Sequence, residues 1–223
     1  ALRAMLLVSV TVIAFGLARL LHAARAPLPA ADEAQLAAIR PILAGADDSQ
    51  AHLALTGDKA LLLDSENRGF TMMQRYGGSL IAMGDPVGPP EVARALIWRF
   101  REEADRLGMR PVFYQVGEQY WQTYLDMGLT LVKLGEEALV PLTDFSLQGP
   151  TRADLRQAWN RGKRSGLSFR IAPSEDIDAL LPELEAISDD WLEHKAGEEK
   201  SFSLGNFDPE YLRRLPVALI TSA

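Results

Sequence analysis

The sequence predicts an α+β protein built from two lobes of one type, joined by a basic helix, with the second lobe cut short. Three observations carry this. Segments of helical and strand period follow one another as helix, helix, strands, helix, strand, helix, strands. A similar order begins again after residue 166. Between the two runs lies Thr151–Arg170, TRADLRQAWNRGKRSGLSFR, with Arg152, Arg156, Arg161, Lys163, Arg164 and Arg170 set against one acid, Asp154, in a chain of net charge -7.

Composition narrows the chemistry. The 223 residues suffice for one large domain or two small ones with a real core. There is no cysteine, so disulfides, thiol nucleophiles and cysteine–metal sites are excluded. His22, His52 and His194 lie far apart and form no ligand spacing, so no metal is expected. No segment matches a Walker loop, and Gly84–Gly88 is not a dinucleotide fingerprint, so no cofactor is expected. The acidic balance confines any nucleic-acid binding to a local patch.

Residues 1–26 read as the end of a transmembrane region. Ala4–Ala18 (AMLLVSVTVIAFGLA) is uncharged and mostly apolar, a little short of the roughly 20 residues that span a bilayer. Three readings stand: the tail of a membrane helix, a signal peptide with Ala24-Arg25-Ala26 near its cleavage site, or a buried helix. Arg19, His22 and Arg25 favour the first, because basic residues prefer the cytoplasmic flank, and this puts the chain after Pro27 in the cytoplasm. Both ends read as cuts in a longer chain.

Residues 27–46 form a linker, Pro27–Ala31, and a helix capped by Asp32 with Leu36, Ile39 and Leu43 on one face. Residues 47–150 form the first lobe. It opens on a short helix, Asp47–Leu55, and strands at Ala60–Leu63, Gly69–Arg75 and Ser79–Met83. A helix over Glu91–Leu107 starts on Pro89-Pro90 and buries Val92, Leu96, Phe100 and Leu107. A strand at Arg110–Val116, a helix at Glu118–Met127 and strands at Thr130–Leu134 and Ala138–Leu142 complete the lobe. Residues 151–166 are the basic connecting helix. Residues 167–223 begin the second lobe, with a strand at Leu167–Ile171, a long acidic helix at Ser174–Lys195, a short helix at Asp208–Arg214 and a strand at Pro216–Thr221.

On a helix, Arg152, Arg156 and Lys163 fall within about 40° of one another, with Trp159 beside them. Such a stripe suits a polyanion, RNA or an anionic lipid surface. A solvated helix linking two lobes has the same composition. Gly84 and Gly88 are turn residues, or backbone that meets an anion at a helix start. On the acidic helix, Asp189, Asp190 and Glu193 are candidates for a cationic group. Ser201–Phe207 (SFSLGNF) sets two hydroxyls and two aromatics around Gly205. It reads either as a loop whose Phe202 and Phe207 plug the core or as a loop shaping a substrate channel. Ser203 has no His–Asp pair nearby in sequence, so a serine hydrolase is not supported.

Taken together, Arg152–Phe169, Ile187–Lys195 (ISDDWLEHK) and Phe202–Leu212 (FSLGNFDPEYL) resemble the cytoplasmic synthase domain of the bacterial multiple peptide resistance factors. Phe70–Gly88 and Val112–Leu125 fit as well. These are the phosphatidylglycerol lysyltransferases and their alanyl relatives. The resemblance implies tandem acetyltransferase-like (GNAT-like) lobes behind a transmembrane helix at the bacterial inner membrane, with the synthase facing the cytoplasm. It implies transfer of lysyl or alanyl from aminoacyl-tRNA to phosphatidylglycerol, which lowers the membrane's negative charge and gives resistance to cationic antimicrobial peptides. Association of copies would run through an upstream membrane region. It assigns tRNA contacts to Arg152, Arg156, Arg161, Lys163 and Arg164, and a pocket wall to Trp191, Ser203, Gly205 and Asp208. Catalytic residues are expected after Ala223. Other acetyltransferase-fold transferases, or a non-catalytic membrane-tethered RNA- or lipid-binding module, are the alternatives.

Overall fold

The computed structural model describes residues 28–195, 201–204 and 206–222, together with Val12 and Phe15. The apolar run of residues 4–18 therefore lies outside the described residues apart from those two helical positions. Among the described residues no helix is long and apolar enough to cross a membrane.

Helix α1 spans Glu33–Ala44. Asp32 caps it reciprocally: its carboxylate accepts from the Gln35 N–H while the Gln35 side chain accepts from the Asp32 N–H. A 3-10 helix follows at Ser49–Thr56, closed by Gly57 in the left-handed conformation. Strands β1 (Ala60–Leu63), β2 (Phe70–Tyr76) and β3 (Ser79–Val87) form an antiparallel meander. Helix α2 (Pro90–Arg106) then crosses over, so that β4 (Arg110–Tyr114) pairs parallel with β3. The sheet order is β1-β2-β3-β4, and α3 spans Trp121–Asp126.

Alternation along the strands gives this sheet two buried faces. Leu61, Phe70, Met72 and Met83 pack against Leu36, Ile39 and Leu43 of α1 and against Ala51, Ala54 and Leu55. Ala60, Met73, Leu80 and Ala82 pack on the other side, with Phe100 and Ala104 of α2. Phe113 lies 4.8 Å from Phe100 and 4.6 Å from Tyr124, ring centre to ring centre, and so ties α3 into that layer.

The second unit is smaller. Helix α4 (Ala153–Arg164) leads into β5 (Leu167–Ala172), α5 (Ile177–Lys195), a turn of helix α6 (Ser201–Leu204), α7 (Pro209–Leu212) and β6 (Val217–Ser222). β5 and β6 form an antiparallel pair. Phe202 and Tyr211 leave this unit and pack against the α1 side of the first core.

One expectation fails. Residues 129–149 run without strand, although Thr130–Leu134 and Ala138–Leu142 have strand composition. A strand is held by a neighbour's backbone hydrogen bonds and by burial of one face. Among the described residues no strand pairs with this segment, and Leu131, Val132, Leu134, Leu139, Val140 and Leu142 stay exposed. Composition alone does not hold the ladder.

Phe100 is fully buried between sheet and helix. Phe100→Ala should lower stability by about 3–5 kcal/mol, read from denaturant unfolding.

Candidate functional site

Helix α4 presents the basic stripe, and none of its residues is buried. Its cations differ in what they do. Arg156 donates from Nη1 to the carbonyls of Leu147 (2.6 Å) and Gly149 (2.5 Å), so it fastens the preceding loop to the helix. Arg152 stacks over Phe145 at 5.6 Å, and Lys163 over Trp159 at 5.0 Å. Arg161 and Arg164 are exposed. The stripe therefore offers an aromatic–cation surface in Trp159 and Lys163 with two exposed guanidiniums, while the half-buried Arg156 is bonded to the preceding loop.

The pocket residues are not gathered into a closed cavity. Trp191 is 58% exposed on α5. Ser203 is half-buried on α6. Asp208 caps α7, accepting from the N–H groups of Glu210 (2.8 Å) and Tyr211 (3.3 Å). Gly205 lies outside the described residues. Of the two aromatics expected to plug the core, Phe202 packs half-buried against the first core, while Phe207 joins none of the core clusters among the described residues. Among the described residues no cluster of His, Asp or Glu could hold a metal.

Two polar clusters, the first partly buried and the second around a fully buried lysine, lie outside the residues that the sequence singles out. The first is at Asp85. Met72 pairs with Met83 but Phe70 pairs with Val87, so β3 carries a bulge over Gly84-Asp85-Pro86. The bulge lies just past Met83, the last β3 residue paired with β4. Bulges re-aim side chains. Here the Asp85 carboxylate reaches the Tyr124 hydroxyl (2.5 Å) and the Gly117 N–H (2.8 Å). Beside it, Gln50 donates to Gln115 at 3.0 Å, and Gln115 takes φ 58, a conformation rare outside glycine. Gly84 takes φ 69, which favours glycine, and a Cβ there would lie 2.6 Å from the Gln50 side-chain oxygen and displace it. The helix start beyond it is a poor anion site, because Pro89 and Pro90 have no N–H to offer.

Burial raises the Asp85 carboxyl above its ordinary range. The bonds from Tyr124 and Gly117 pull the other way, and the nearby charge of Asp48 adds to the rise. Burial, with Asp85 alongside, pushes the Tyr124 hydroxyl far up, so it stays a donor.

The second cluster is Lys59, fully buried under Phe202. Its ammonium donates to Thr56 Oγ1 (2.9 Å) and Asp58 Oδ1 (2.6 Å), and sits 5.9 Å from the Phe202 ring centre. Thr56 also donates to Asp58. Burial lowers the Lys59 pKa, and Asp58 opposes that.

With this geometry in view, comparison with known proteins is decisive. Residues 40–222 match the family model described as phosphatidylglycerol lysyltransferase, C-terminal. The chain belongs to this family. It is 38% identical over 172 residues to a phosphatidylglycerol lysyltransferase of Bacillus subtilis, covering 77% of this chain and 20% of the relative. It is 35% identical over 169 residues to one of Staphylococcus xylosus, covering 76% and 20%. The chain thus spans about a fifth of the length of the curated relatives it matches. Among solved structures, the C-terminal domain of a putative lysylphosphatidylglycerol synthetase from Agrobacterium fabrum superposes with TM-score 0.80 at 38% identity, over 84% of this chain and 59% of that one. The L-PGS of Bacillus licheniformis gives TM-score 0.77 at 33% identity, over 86% and 60%.

Asp85→Asn keeps the shape and an acceptor while removing the charge. A carboxyl whose folded pKa exceeds its unfolded value contributes stability below about pH 4, and that contribution is lost as pH rises through the folded pKa. Urea midpoints of the wild type should therefore fall relative to D85N as pH is raised from about 4 to about 8. A difference that moves the other way would contradict the assignment.

Proposed function

We propose that the protein transfers an aminoacyl group, lysyl or alanyl, from aminoacyl-tRNA to a hydroxyl of phosphatidylglycerol at the cytoplasmic face of the bacterial inner membrane. The observation that carries this is the identity of 38% to a phosphatidylglycerol lysyltransferase over 77% of the chain. The product lipid is less negative, which weakens attraction of cationic antimicrobial peptides.

The reaction exchanges one ester for another. The lipid hydroxyl oxygen attacks the aminoacyl carbonyl, the bond to the tRNA ribose oxygen breaks, and the proton of the lipid hydroxyl ends on that ribose oxygen. The donor ester is already activated, so positioning and proton transfer supply the catalysis. This chain's part is positioning. Trp159, Lys163, Arg161 and Arg164 on α4, with Arg152 just before it, bind tRNA phosphates and stack on exposed bases. Arg156 holds the loop that presents α4. The family resemblance assigns a substrate-pocket wall to Trp191, Ser203, Gly205 and Asp208.

Both units are read as GNAT-like lobes, and the β3–β4 parallel pair with its crossover helix supports this for the first. An extended acyl carrier would lie between diverging parallel strands and use their free backbone groups. Here, past the end of that pair, Asp85 accepts from the Gly117 N–H and the Tyr124 hydroxyl, and Gln50 donates to Gln115. The first lobe therefore acts as a scaffold, which disfavours an acyl-coenzyme A reaction on it.

The full-length protein, given aminoacyl-tRNA and phosphatidylglycerol vesicles, should yield a ninhydrin-positive lipid. Turnover of an acyl-coenzyme A with no such lipid would overturn the proposal. The double substitution Arg161→Glu and Arg164→Glu should weaken tRNA binding and reduce the slope of log K against log salt by about 2. Arg156→Glu should instead lower thermal stability through the loss of its two carbonyl contacts.

A further inference from the structure

Behind the first-lobe core, the segment after α7 meets α1 across a cavity of about 340 Å³ lined by Arg40, Leu55, Arg213 and Arg214. Three guanidiniums on one small cavity run against a chain of net charge -7. Their pairing is unequal. Arg213 is neutralised by Asp178 at 2.7 Å and Glu210 at 2.5 Å, and so forms a wall. Arg40 and Arg214 share a single carboxylate. Glu33 lies 3.1 Å from Arg40 Nη2 but 3.7 Å from Arg214 Nη2, which is too long for a hydrogen bond. Among the described residues, Nη1 of Arg214 is buried with no hydrogen-bond partner.

Two guanidiniums, one carboxylate and one orphaned donor leave a positive charge unmatched. A buried charged donor without an acceptor is costly, and an oxyanion is the group that relieves it. Guanidinium forks fit the tetrahedral oxygens of phosphate particularly well. We infer that this cavity binds the phosphate of a glycerophospholipid headgroup, placing the acceptor lipid at the seam between α1 and the segment after α7. The assignment rests on the proposed function.

Size and position favour a lipid over a nucleic acid. A backbone of many phosphates is met by an open basic surface, as on α4. This cavity is small and takes a single phosphate with its glycerol. In sequence, α1 comes after the apolar run of residues 4–18 with only a short proline-containing linker near its start.

The test uses the full-length protein with glycerol phosphate, inorganic phosphate and vesicles of phosphatidylglycerol or phosphatidylcholine. Arg40 and Glu33 are solvent-facing, so Arg40→Gln and Glu33→Gln should fold, as thermal melting will check. R40Q should weaken binding to glycerol phosphate and phosphatidylglycerol vesicles about tenfold. E33Q removes the competing carboxylate and should tighten both about threefold or more. A merely structural ion pair would lose stability in both variants without moving either affinity, and that result overturns the site. Changes seen with inorganic phosphate but absent with phosphatidylglycerol vesicles overturn the lipid assignment. Aminoacyl transfer by the wild type with an unchanged KM for phosphatidylglycerol in both variants sinks this site alone, whereas no transfer by the wild type sinks the function proposal.

Discussion

The packing of Phe202 and Tyr211 onto the first-lobe core is the contact on which the rest of the arrangement depends. Both side chains come from the second unit, yet both lie against the layer built by α1, the 3-10 helix and the sheet. Two half-buried aromatic rings packed across the seam bury apolar surface there. The seam has a rigid floor. Lys59 is buried there with its charge met by Asp58 and Thr56 and its outer side covered by Phe202. Removing either partner of such a buried pair leaves the other uncompensated, which makes the floor intolerant of change. The same seam brings Arg214 to within 3.7 Å of Glu33 and sets Arg213 and Arg214 around one cavity with Arg40.

The first lobe was largely legible because its signals are local. Asp32 marks the start of α1, the two prolines mark the start of α2, and Gly69–Arg75 has strand composition. The basic helix was legible in the same way, by its charge against an acidic background. What sequence could not show depends on partners far along the chain. Asp85 meets Tyr124 across 39 positions, and Gln50 meets Gln115 across 65. Nothing in a one-dimensional pattern marks those pairs, although an aspartate and a proline inside an otherwise apolar strand end were a signal that β3 bulges there. Arg156 is the converse case. Its charge was visible, but its use as a donor to two carbonyls was not.

The strand-like stretch at residues 130–142 shows the limit of composition. Helical segments carry their own hydrogen bonds, so α4 forms with none of its residues buried. A strand has no such independence. Leu131 to Leu142 have the residues for a ladder and no neighbour among the described residues to complete it. The same dependence holds β5 and β6 to each other, the pairing they have among the described residues.

The proposed reaction would bring a charged tRNA and an anionic membrane surface together against their mutual repulsion. Separate cationic surfaces joined by a stiff connection solve this, because each neutralises one partner before the reacting groups meet. The fold provides such a connection. Helix α4 packs on β5, β5 leads into α5, and Asp178 at the start of α5 holds Arg213 at the wall of the arginine cavity. The surface proposed for the donor and the cavity proposed for the acceptor are thus linked through one strand, one helix and one ion pair. On that geometry Asp178 matters for where the acceptor site sits relative to α4, while the first lobe fixes the opposite wall of the same cavity through Arg40 and Leu55.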